Sequence, residues 1–326
     1  RIMEQQMKTY LRFNPSICSI NIGDQIIAQS VIEQMKWLFS GNFVIDVSSH
    51  QPISWIYYSH VLQNVDLSFV IGSNLLRGKL NSVDRQWDIN IFNAKQLGPA
   101  VLIGVGWRAY GETPNWYTRQ VYQKILSHNY MHSVRDNYTK DMLQKIGFNN
   151  VVNTSCATMW GFTPEFCRKI PTTKADTVVT TVTDYNQNLS RDKAMIDCLK
   201  ANYKKVFLWV QGIGDFQYIK ELTDINDICI IEPSLIAFDR ILMNTDIDYV
   251  GTRLHGGIRA LQKGRRTLIV GIDNLAKEKE RDFNLPVIDQ NEIYQLVERV
   301  NQPFDTNIRI PLHEIEEWKA QFRKSL

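Results

Sequence analysis

Short apolar runs alternate along the chain with stretches whose apolar residues recur at helical spacing. In the first half this pattern predicts strands at residues 16–20, 43–47, 66–72, 99–106, 129–134 and 150–154. In the second half it predicts strands at residues 177–182, 205–211, 228–231, 247–250 and 267–272. Runs without polar alternation are typical of parallel strands that are covered on both faces by helices. The pattern therefore predicts an α/β fold.

Helices are predicted between these strands, and capping residues locate several of their ends. Asp136 is expected to cap a helix over residues 137–146, with Gly147 just past its end. Asp24 is expected to cap the helix after the first strand, and a direct ligand role for its carboxylate is the alternative. Further helices are predicted at residues 116–126, 191–202, 234–243, 291–300 and 311–322.

Two successive strand–helix series indicate two domains. The chain has 326 residues, 44% of them hydrophobic, which is enough for two separate cores. Residues 161–176 contain two prolines and form the predicted linker. We predict two Rossmann-like domains that face each other across a cleft, at residues 1–163 and 164–302. The helix within residues 303–326 is expected to cross back to the first domain.

Composition excludes several classes of protein. A net charge of +3 is small for this length and argues against a nucleic-acid-coating protein. Five scattered cysteines without a CxxC pair fit free thiols, and no clustered His, Asp or Glu suggests a metal site. No apolar run approaches the roughly 18 residues of a membrane span. We expect a cytoplasmic protein, with peripheral association at the inner membrane face or, because the chain starts at Arg1, an organelle lumen as alternatives.

Polar and aromatic residues cluster after the predicted strands, where ligands bind in parallel α/β sheets. The candidates for a ligand-binding cleft are Asn21, Asp24, Ser73, Asn74, Trp107, Arg108, Trp116, Glu232 and Lys277, and Arg135 follows a further strand. Trp107 and Trp116 are the aromatic residues predicted to stack on a bound ligand. For Arg108 and Arg135 an ion pair is the alternative, and Lys277 lies in a charged run that could simply be solvated.

The stretch from Asp248 to Leu261 carries the strongest chemical signal. A buried strand ends in Gly251-Thr252, and Arg253-Leu254-His255-Gly256-Gly257 then opens a helix. The free N–H groups and the dipole of a helix N-terminus favour an anion. Arginine can bind an oxyanion through two parallel hydrogen bonds, and histidine titrates near neutral pH. The stretch therefore predicts an anion site with a proton-handling residue.

The same residues resemble a known family. Thr252-Arg253-Leu254-His255-Gly256, Ala260-Leu261 and Gly264, followed by a strand with Asp273 and Lys277, resemble the C-terminal signature of polysaccharide pyruvyl transferases. Asn21-x-Gly23-Asp24 and Ser133-x-Arg135-Asp136 are similar to two further motifs, so the resemblance covers about residues 14–290. Gly72-Ser73-Asn74 and Thr154-Ser155-Cys156 depart from the family pattern of three glycines and an aspartate, on the acceptor side.

The resemblance implies a glycosyltransferase-B-like fold and a specific reaction. Phosphoenolpyruvate would be the donor, a saccharide or lipid-linked saccharide the acceptor, and a pyruvate ketal and phosphate the products, with no cofactor. Arg135, Arg253, Leu254, His255, Gly256 and Gly257 would bind the donor. Arg253 and His255 would be catalytic, with His255 acting either as acid or as base.

Two other functions compete with this one. A glycosyltransferase that uses a nucleotide sugar would have the same architecture, with Glu232 holding a ribose. A non-catalytic glycan-binding relative is the second alternative, suggested by the altered Gly72-Ser73-Asn74 segment. The sequence identifies neither the sugar acceptor nor the oligomeric state.

Overall fold

The computed structural model describes residues 7–83, 85–244 and 246–323. They divide into two compact units. Unit 1 comprises residues 7–19, 27–160 and 311–323, and unit 2 comprises residues 20–26 and 161–310. The predicted first domain is unbroken from residue 1 to 163, whereas residues 20–26 belong to unit 2. They do so because Asn21 forms an antiparallel bridge with Gly212 and Ile22 N donates to Gln211 O at 3.0 Å.

The strands of unit 1 are β1 (Thr9–Asn14), β2 (Phe43–Ser48), β3 (Leu67–Ile71), β4 (Ala100–Ile103), β5 (His132–Val134) and β6 (Val151–Asn153). Those of unit 2 are β7 (Thr177–Thr180), β8 (Lys205–Trp209), β9 (Cys229–Ile231), β10 (Ile247–Gly251), β11 (Thr267–Gly271) and β12 (Val287–Asp289). Every strand pairing is parallel, as the apolar runs predict.

The helices up to the linker are α1 (Gly23–Gln34), α2 (Lys36–Phe39), α3 (Trp55–Tyr57), α4 (Ala94–Leu97), α5 (Trp116–Ile125), α6 (Asn137–Ile146) and α7 (Pro164–Cys167). Those that follow are α8 (Leu189–Asn202), α9 (Asp215–Leu222), α10 (Leu235–Leu242), α11 (Leu254–Gln262), α12 (Asn274–Phe283), α13 (Leu296–Asn301) and α14 (Leu312–Arg323). A π-helical turn covers Tyr58–Leu62, and 3-10 turns cover Ala157–Met159, Ile225–Asp227 and Gln290–Gln295.

Unit 1 has a four-stranded sheet in the order β2-β1-β3-β4, with β5 and β6 paired beside it. Between β4 and β5 two side chains take the place of backbone carbonyls. Leu102 N donates to His132 Nδ1 at 3.2 Å, and Gly104 N donates to Ser133 Oγ at 2.8 Å. His132 Nε2 lies 2.8 Å from Ser127 O, so the ring is a neutral Nε2–H tautomer. Burial lowers the pKa of His132 to about 4.

Helix α14 packs on unit 1. Trp318 is fully buried and its Nε1 donates to Met131 O at 2.7 Å, while its ring lies 5.9 Å from that of Trp160. The indole N–H therefore has a partner, as a buried tryptophan requires.

The strand predicted at residues 16–20 is wrong. Asn14 Oδ1 accepts from Ser16 N at 2.9 Å and from Ser16 Oγ at 2.7 Å, and Cys18 has a φ of 62°, so this segment turns. The first strand is β1, which contains Arg12. Its buried guanidinium forms a salt bridge with Asp46 of neighbouring β2 at 2.6 Å, and this pairing lets a charged residue occupy a buried strand.

The sheet of unit 2 has the strand order β12-β11-β10-β7-β8-β9. This is the Rossmann strand order. The first three strands, β7 to β9, extend the sheet in one direction, and the next three, β10 to β12, extend it in the other, so the switch point lies between β7 and β10. A crevice forms outside the carboxyl ends of the two strands at such a switch point, and ligands bind there. Residues 181–184 and 252–253 follow β7 and β10, so the switch point lies at Arg253.

Candidate functional site

The turn from β10 into α11 is shaped by glycines. Arg253 precedes α11 in an extended conformation, and Leu254, His255 and Gly256 form the first turn. A Cβ atom on Gly257 would lie 2.5 Å from Ile269 Cγ1, so only glycine lets α11 pack this closely against β11. His255 is half-buried. The first-turn N–H groups of α11 therefore lie at the switch point, where they favour an anion.

Arg253 is the centre of a buried ion-pair cluster in unit 2. Its Nε donates to Asp215 Oδ2 at 3.1 Å, and its Nη2 donates to Asp184 Oδ1 at 2.8 Å and to Asp215 Oδ1. The ring of Tyr185 lies 5.0 Å from the guanidinium carbon. None of the described residues accepts a hydrogen bond from Nη1. Nη1 is thus the portion of this side chain that a ligand can use.

The charges in this cluster favour ionised forms despite burial. Burial opposes a charged Arg253, but the hydrogen bond and the charge of Asp215 outweigh it and raise the pKa of the guanidinium. Burial raises the pKa of Asp215, and Arg253 and Gly212 N oppose that rise. A guanidinium held by two carboxylates keeps its orientation whether or not a ligand is bound.

Three hydrogen bonds form a closed ring around the backbone of Arg253. Arg253 N donates to Thr181 Oγ1 at 3.2 Å, and Tyr249 Oη donates to Arg253 O at 2.8 Å. The two hydroxyl oxygens of Thr181 and Tyr249 lie 2.6 Å apart. Because Tyr249 uses its proton on Arg253 O, Thr181 must donate to Tyr249. The ring fixes the residue that begins α11.

Gln211 and Asn21 lie beside the first turn of α11, also within unit 2. Gln211 Nε2 donates to Asn21 Oδ1 at 3.0 Å, and a Cβ atom on Gly256 would lie 3.0 Å from Gln211 Oε1. Asn21 Oδ1 also accepts from Gly23 N at 2.9 Å, at the start of α1. The predicted cap Asp24 is wrong, because this residue lies inside the first turn of α1 and not before it.

Arg135 follows β5 at the carboxyl edge of the unit 1 sheet. Its side chain is buried, and its Nε donates to Asp136 Oδ2 at 3.1 Å. Asp136 Oδ1 accepts from Thr139 N at 2.7 Å and so caps α6, which ends at Gly147 with a φ of 111°, as predicted. A Cβ atom on Gly106 would lie 2.1 Å from Arg135 Nε. Arg135 therefore lies flat against the glycine backbone.

The segments after β3 and β4 are joined by backbone hydrogen bonds. Gly106 N donates to Ser73 O at 2.9 Å, and Arg108 N donates to Leu76 O at 2.7 Å. Ser73 has a φ of 67°, a left-handed conformation that glycine adopts at lower cost. Asn74 is half-buried beside it, in the segment that departs from the family's three glycines.

Trp107 does not have the exposure that stacking on a glycan requires. It is 1% exposed and its ring lies edge-on to Tyr122 at 6.3 Å, so the prediction for this residue is wrong. Trp107 belongs to the buried hydrophobic core of unit 1. Trp116 is 71% exposed at the start of α5, where Asn115 caps the helix, and its ring is accessible.

Two predicted candidates in unit 2 lie away from Arg253. Glu232 follows β9, the edge strand, three strand positions from β10, which is about 14 Å at the usual strand spacing. Its Oε1 accepts from Ser234 Oγ at 3.3 Å. Lys277 in α12 forms a salt bridge with Asp289 at 2.6 Å. The structure therefore does not bring these two side chains to the β10–α11 turn.

Asp184, Asp215 and Tyr249 contribute to the cluster, yet none is among the residues that the sequence predicts for the site. Asp215 follows Gly212-Ile213-Gly214 directly after a buried strand, a signal of the kind that draws attention to Arg135. Asp184 and Tyr249 carry no such local signal. Their role depends on β7 and β10 being neighbours, which only the strand order reveals.

The described residues form neither a metal-binding cluster nor a helix that could span a membrane. Within residues 7–83, 85–244 and 246–323, no group of three or more His, Cys, Asp or Glu side chains is arranged to hold a metal ion. In the same described segments of the chain, no helix combines the length and the hydropathy needed to cross a membrane.

Comparison with known proteins agrees with the fold. The structure resembles UDP-GlcNAc 2-epimerase of Methanocaldococcus jannaschii in complex with UDP-GlcNAc and UDP (TM-score 0.53, 11% identity, 98% of this chain and 99% of the other). It also resembles UDP-GlcNAc 2-epimerase of Neisseria meningitidis bound to UDP-GlcNAc (TM-score 0.51, 13% identity, 98% of this chain and 100% of the other). A third similar structure is S. aureus MnaA solved with UDP (TM-score 0.52, 11% identity, 98% of this chain and 96% of the other). At these identities the likeness shows the fold alone, an α/β fold of glycosyltransferase-B type, as predicted.

Sequence comparison defines the family. The chain has no significant match among curated proteins. The family model for polysaccharide pyruvyl transferase matches residues 21–274, which include Asn21, Arg135, Arg253 and His255. This chain therefore belongs to the polysaccharide pyruvyl transferase family, and it is a transferase enzyme that acts on polysaccharide.

Proposed function

We propose that the enzyme transfers the carboxyvinyl group of phosphoenolpyruvate to two hydroxyls of a saccharide, forming a cyclic pyruvate ketal and releasing phosphate. The single observation that carries this proposal is the β10–α11 turn at the switch point of unit 2. It combines an arginine held by two carboxylates, a half-buried histidine and the first turn of a nine-residue helix.

Phosphoenolpyruvate is small and carries about −3 charges at neutral pH from its phosphate and carboxylate. Such a ligand needs several cationic or N–H donors within a short distance. In unit 2 we assign Arg253 Nη1 and the first-turn N–H groups of α11 to its anionic groups. In unit 1 we assign Arg135 to an anionic group of a substrate. Asp184 and Asp215 already hold the Arg253 side chain in place. The ligand therefore does not have to order this side chain when it binds.

The reaction balances without a cofactor. One saccharide hydroxyl oxygen adds to C2 of phosphoenolpyruvate, and C3 takes up a proton to become a methyl group. The second hydroxyl oxygen then bonds to C2 as the C2–O bond to phosphate breaks. Two hydroxyl protons are released in total. One balances the proton that C3 takes up, and the other leaves with phosphate. His255 is the residue we assign to this proton transfer, either to C3 or from the attacking hydroxyl.

The test is an assay with phosphoenolpyruvate and a panel of methyl hexopyranosides, scored for phosphate release and for the mass of the ketal on the sugar. His255→Asn should lower kcat by about 10²- to 10⁴-fold, the usual contribution of an acid–base residue. His313→Asn, an exposed histidine of α14, is the matched control and should leave kcat unchanged.

Ligand-induced stabilisation separates this proposal from its main competitor. Phosphoenolpyruvate should raise the Tm of the wild type, and Arg253→Ala should abolish the rise. If millimolar phosphoenolpyruvate leaves the Tm unchanged while UDP-GlcNAc raises it, the proposed donor is wrong and a nucleotide-sugar transferase replaces it.

A further inference from the structure

Gln211 is a buried amide that the proposed donor chemistry does not use. It follows β8 by two residues and is 4% exposed. Its backbone carbonyl accepts from Ile22 N at 3.0 Å, and its side-chain Nε2 donates to Asn21 Oδ1 at 3.0 Å. All three residues belong to unit 2, so the segment that begins α1 is fixed to the end of β8 within one unit.

The orientation of the Gln211 amide follows from its neighbours. Asn21 Oδ1 accepts a hydrogen bond from Gly23 N at 2.9 Å, and a backbone N–H can only donate. The Asn21 atom that faces Gln211 is therefore the oxygen, and the Gln211 atom that faces it must be the nitrogen. Oε1 consequently points the other way and can only accept.

Gln211 Oε1 is directed at the first turn of α11. It lies 3.0 Å from the Cβ position of Gly256, and any side chain at residue 256 would crowd it. Among the residues that the structure describes, none donates a hydrogen bond to Oε1, although the atom is buried. A buried carbonyl oxygen without a donor costs about 1–3 kcal/mol, so this position favours a ligand that supplies one.

The chemistry beside Oε1 restricts what that ligand group can be. The first-turn N–H groups of α11 attract an electron-rich atom, whereas Oε1 repels an ionised oxygen and requires a proton. A fully ionised phosphate or carboxylate satisfies only the N–H groups. A hydroxyl supplies the proton that Oε1 requires, because it can donate a hydrogen bond.

We infer that Gln211 Oε1 accepts a hydrogen bond from a hydroxyl of the saccharide acceptor, and that Gln211 is a specificity-determining residue for it. The inference rests on the proposed function for the identity of the hydroxyl-bearing ligand. It assigns Gln211 Oε1 to the acceptor and leaves Arg253 Nη1 and the first-turn N–H groups of α11 to the anionic donor. Gln211 of unit 2 then joins the acceptor-binding residues, although the sequence alone does not single it out.

Binding measurements test this inference without requiring turnover. The dissociation constants of a panel of methyl hexopyranosides, each with its monodeoxy analogues, are measured by ligand-observed NMR in the absence of phosphoenolpyruvate. Gln211→Met retains length but lacks the acceptor atom. It should weaken binding of the preferred saccharide by on the order of 10-fold, the effect of one lost hydrogen bond with its desolvation cost.

One monodeoxy analogue should bind the wild type on the order of 10-fold more weakly than the parent saccharide does. Gln211→Met should bind this analogue and the parent saccharide equally. Asn21→Ala removes the Nε2 partner and retains Oε1. If Asn21→Ala reproduces the full loss, the effect comes from the α1 connection and the inference is overturned. Equal saccharide affinity in Gln211→Met and wild type, or no saccharide binding to the wild type, overturns it as well.

The stabilisation by phosphoenolpyruvate serves as the independent readout. It should be the same in Gln211→Met as in the wild type, because the inference places no donor oxygen on Oε1. If Gln211→Met loses this stabilisation, Gln211 binds the donor and the inference is wrong. If the wild type binds saccharides through Gln211 but shows no response to phosphoenolpyruvate, the proposed function fails while the inference stands.

Discussion

Asp215 is fully buried and lies against the guanidinium of Arg253, whose Nε donates to its Oδ2 at 3.1 Å. The pair joins the start of α9 to the residue before α11, and Gly212 N also donates to Asp215 Oδ2 at 2.8 Å. The arginine that the sequence assigns to the donor is therefore also a structural centre of unit 2. Its variants should affect stability as well as activity.

Asp215 and Asp184 should contribute unequally to stability. Asp215→Asn removes one charge of a fully buried pair and should lower the free energy of unfolding by about 3–5 kcal/mol. The side chain of Asp184 is 28% exposed, and Asp184→Asn should cost about 1 kcal/mol or less. Urea denaturation of both variants measures the difference. Equal losses would show that burial does not decide the strength of these two pairs.

Gly106→Ala should lower activity through Arg135. The added Cβ would lie 2.1 Å from Arg135 Nε and within 2.6 Å of Cζ and Cδ, so the guanidinium must move. We expect kcat/KM for phosphoenolpyruvate to fall by about 10-fold or more, in proportion to a lost charge-assisted hydrogen bond. The control is the double variant with Arg135→Ala. It should be no less active than Arg135→Ala alone, and an additive loss would place the effect of Gly106 elsewhere.

Stability should fall in acid because of His132. Its folded pKa of about 4 lies below the unfolded value of about 6.5, so the unfolded chain binds a proton that the folded one does not. This contribution is complete above pH 6.5 and is lost as the pH falls to 4, by about 3 kcal/mol in total. His132→Asn, which can still accept from Leu102 N, should show a shallower decline over this range. Parallel curves for the two proteins would contradict this assignment.

Tyr249→Phe should loosen the start of α11. The variant removes the hydroxyl that donates to Arg253 O at 2.8 Å and leaves Thr181 without its acceptor. We expect a loss of about 1–2 kcal/mol in the free energy of unfolding. Thr181→Val breaks the same ring, so the double variant should lose less than the sum of the single losses. Strict additivity would show that the ring does not act as a unit.

Much of the fold can be predicted because buried strands and helix caps are local features. The helix from Asn137 to Ile146 is predicted with its correct ends, since Asp136 and Gly147 have side-chain and backbone requirements that few residues meet. The apolar pattern misses β1 because Arg12 interrupts its run. It also misses α12, whose exposed face is rich in charges, and the predicted helix over residues 291–300 is a 3-10 turn followed by α13.

The candidate site is only half visible in the sequence for a related reason. Arg253 and His255 lie in one continuous motif, whereas Asp184 and Asp215 reach Arg253 from the ends of two other strands. Trp107 follows a glycine-rich strand end, which suggests an accessible ring, but that ring packs into the unit 1 core. Strand neighbours and side-chain direction are properties of the folded chain, and sequence spacing does not encode them.

Each unit sets an arginine against a glycine from a different strand end. Arg135 lies on Gly106 in unit 1, and Arg253 lies on Gly212 in unit 2, where an added Cβ would be 2.1 Å from Nη2. For the discovery of relatives in genomes, the informative character is therefore the arginine together with its glycine. In a homologue that keeps both arginines but has lost either glycine, we expect the guanidinium next to the lost glycine to be displaced. This holds even if the arginine–histidine motif is intact.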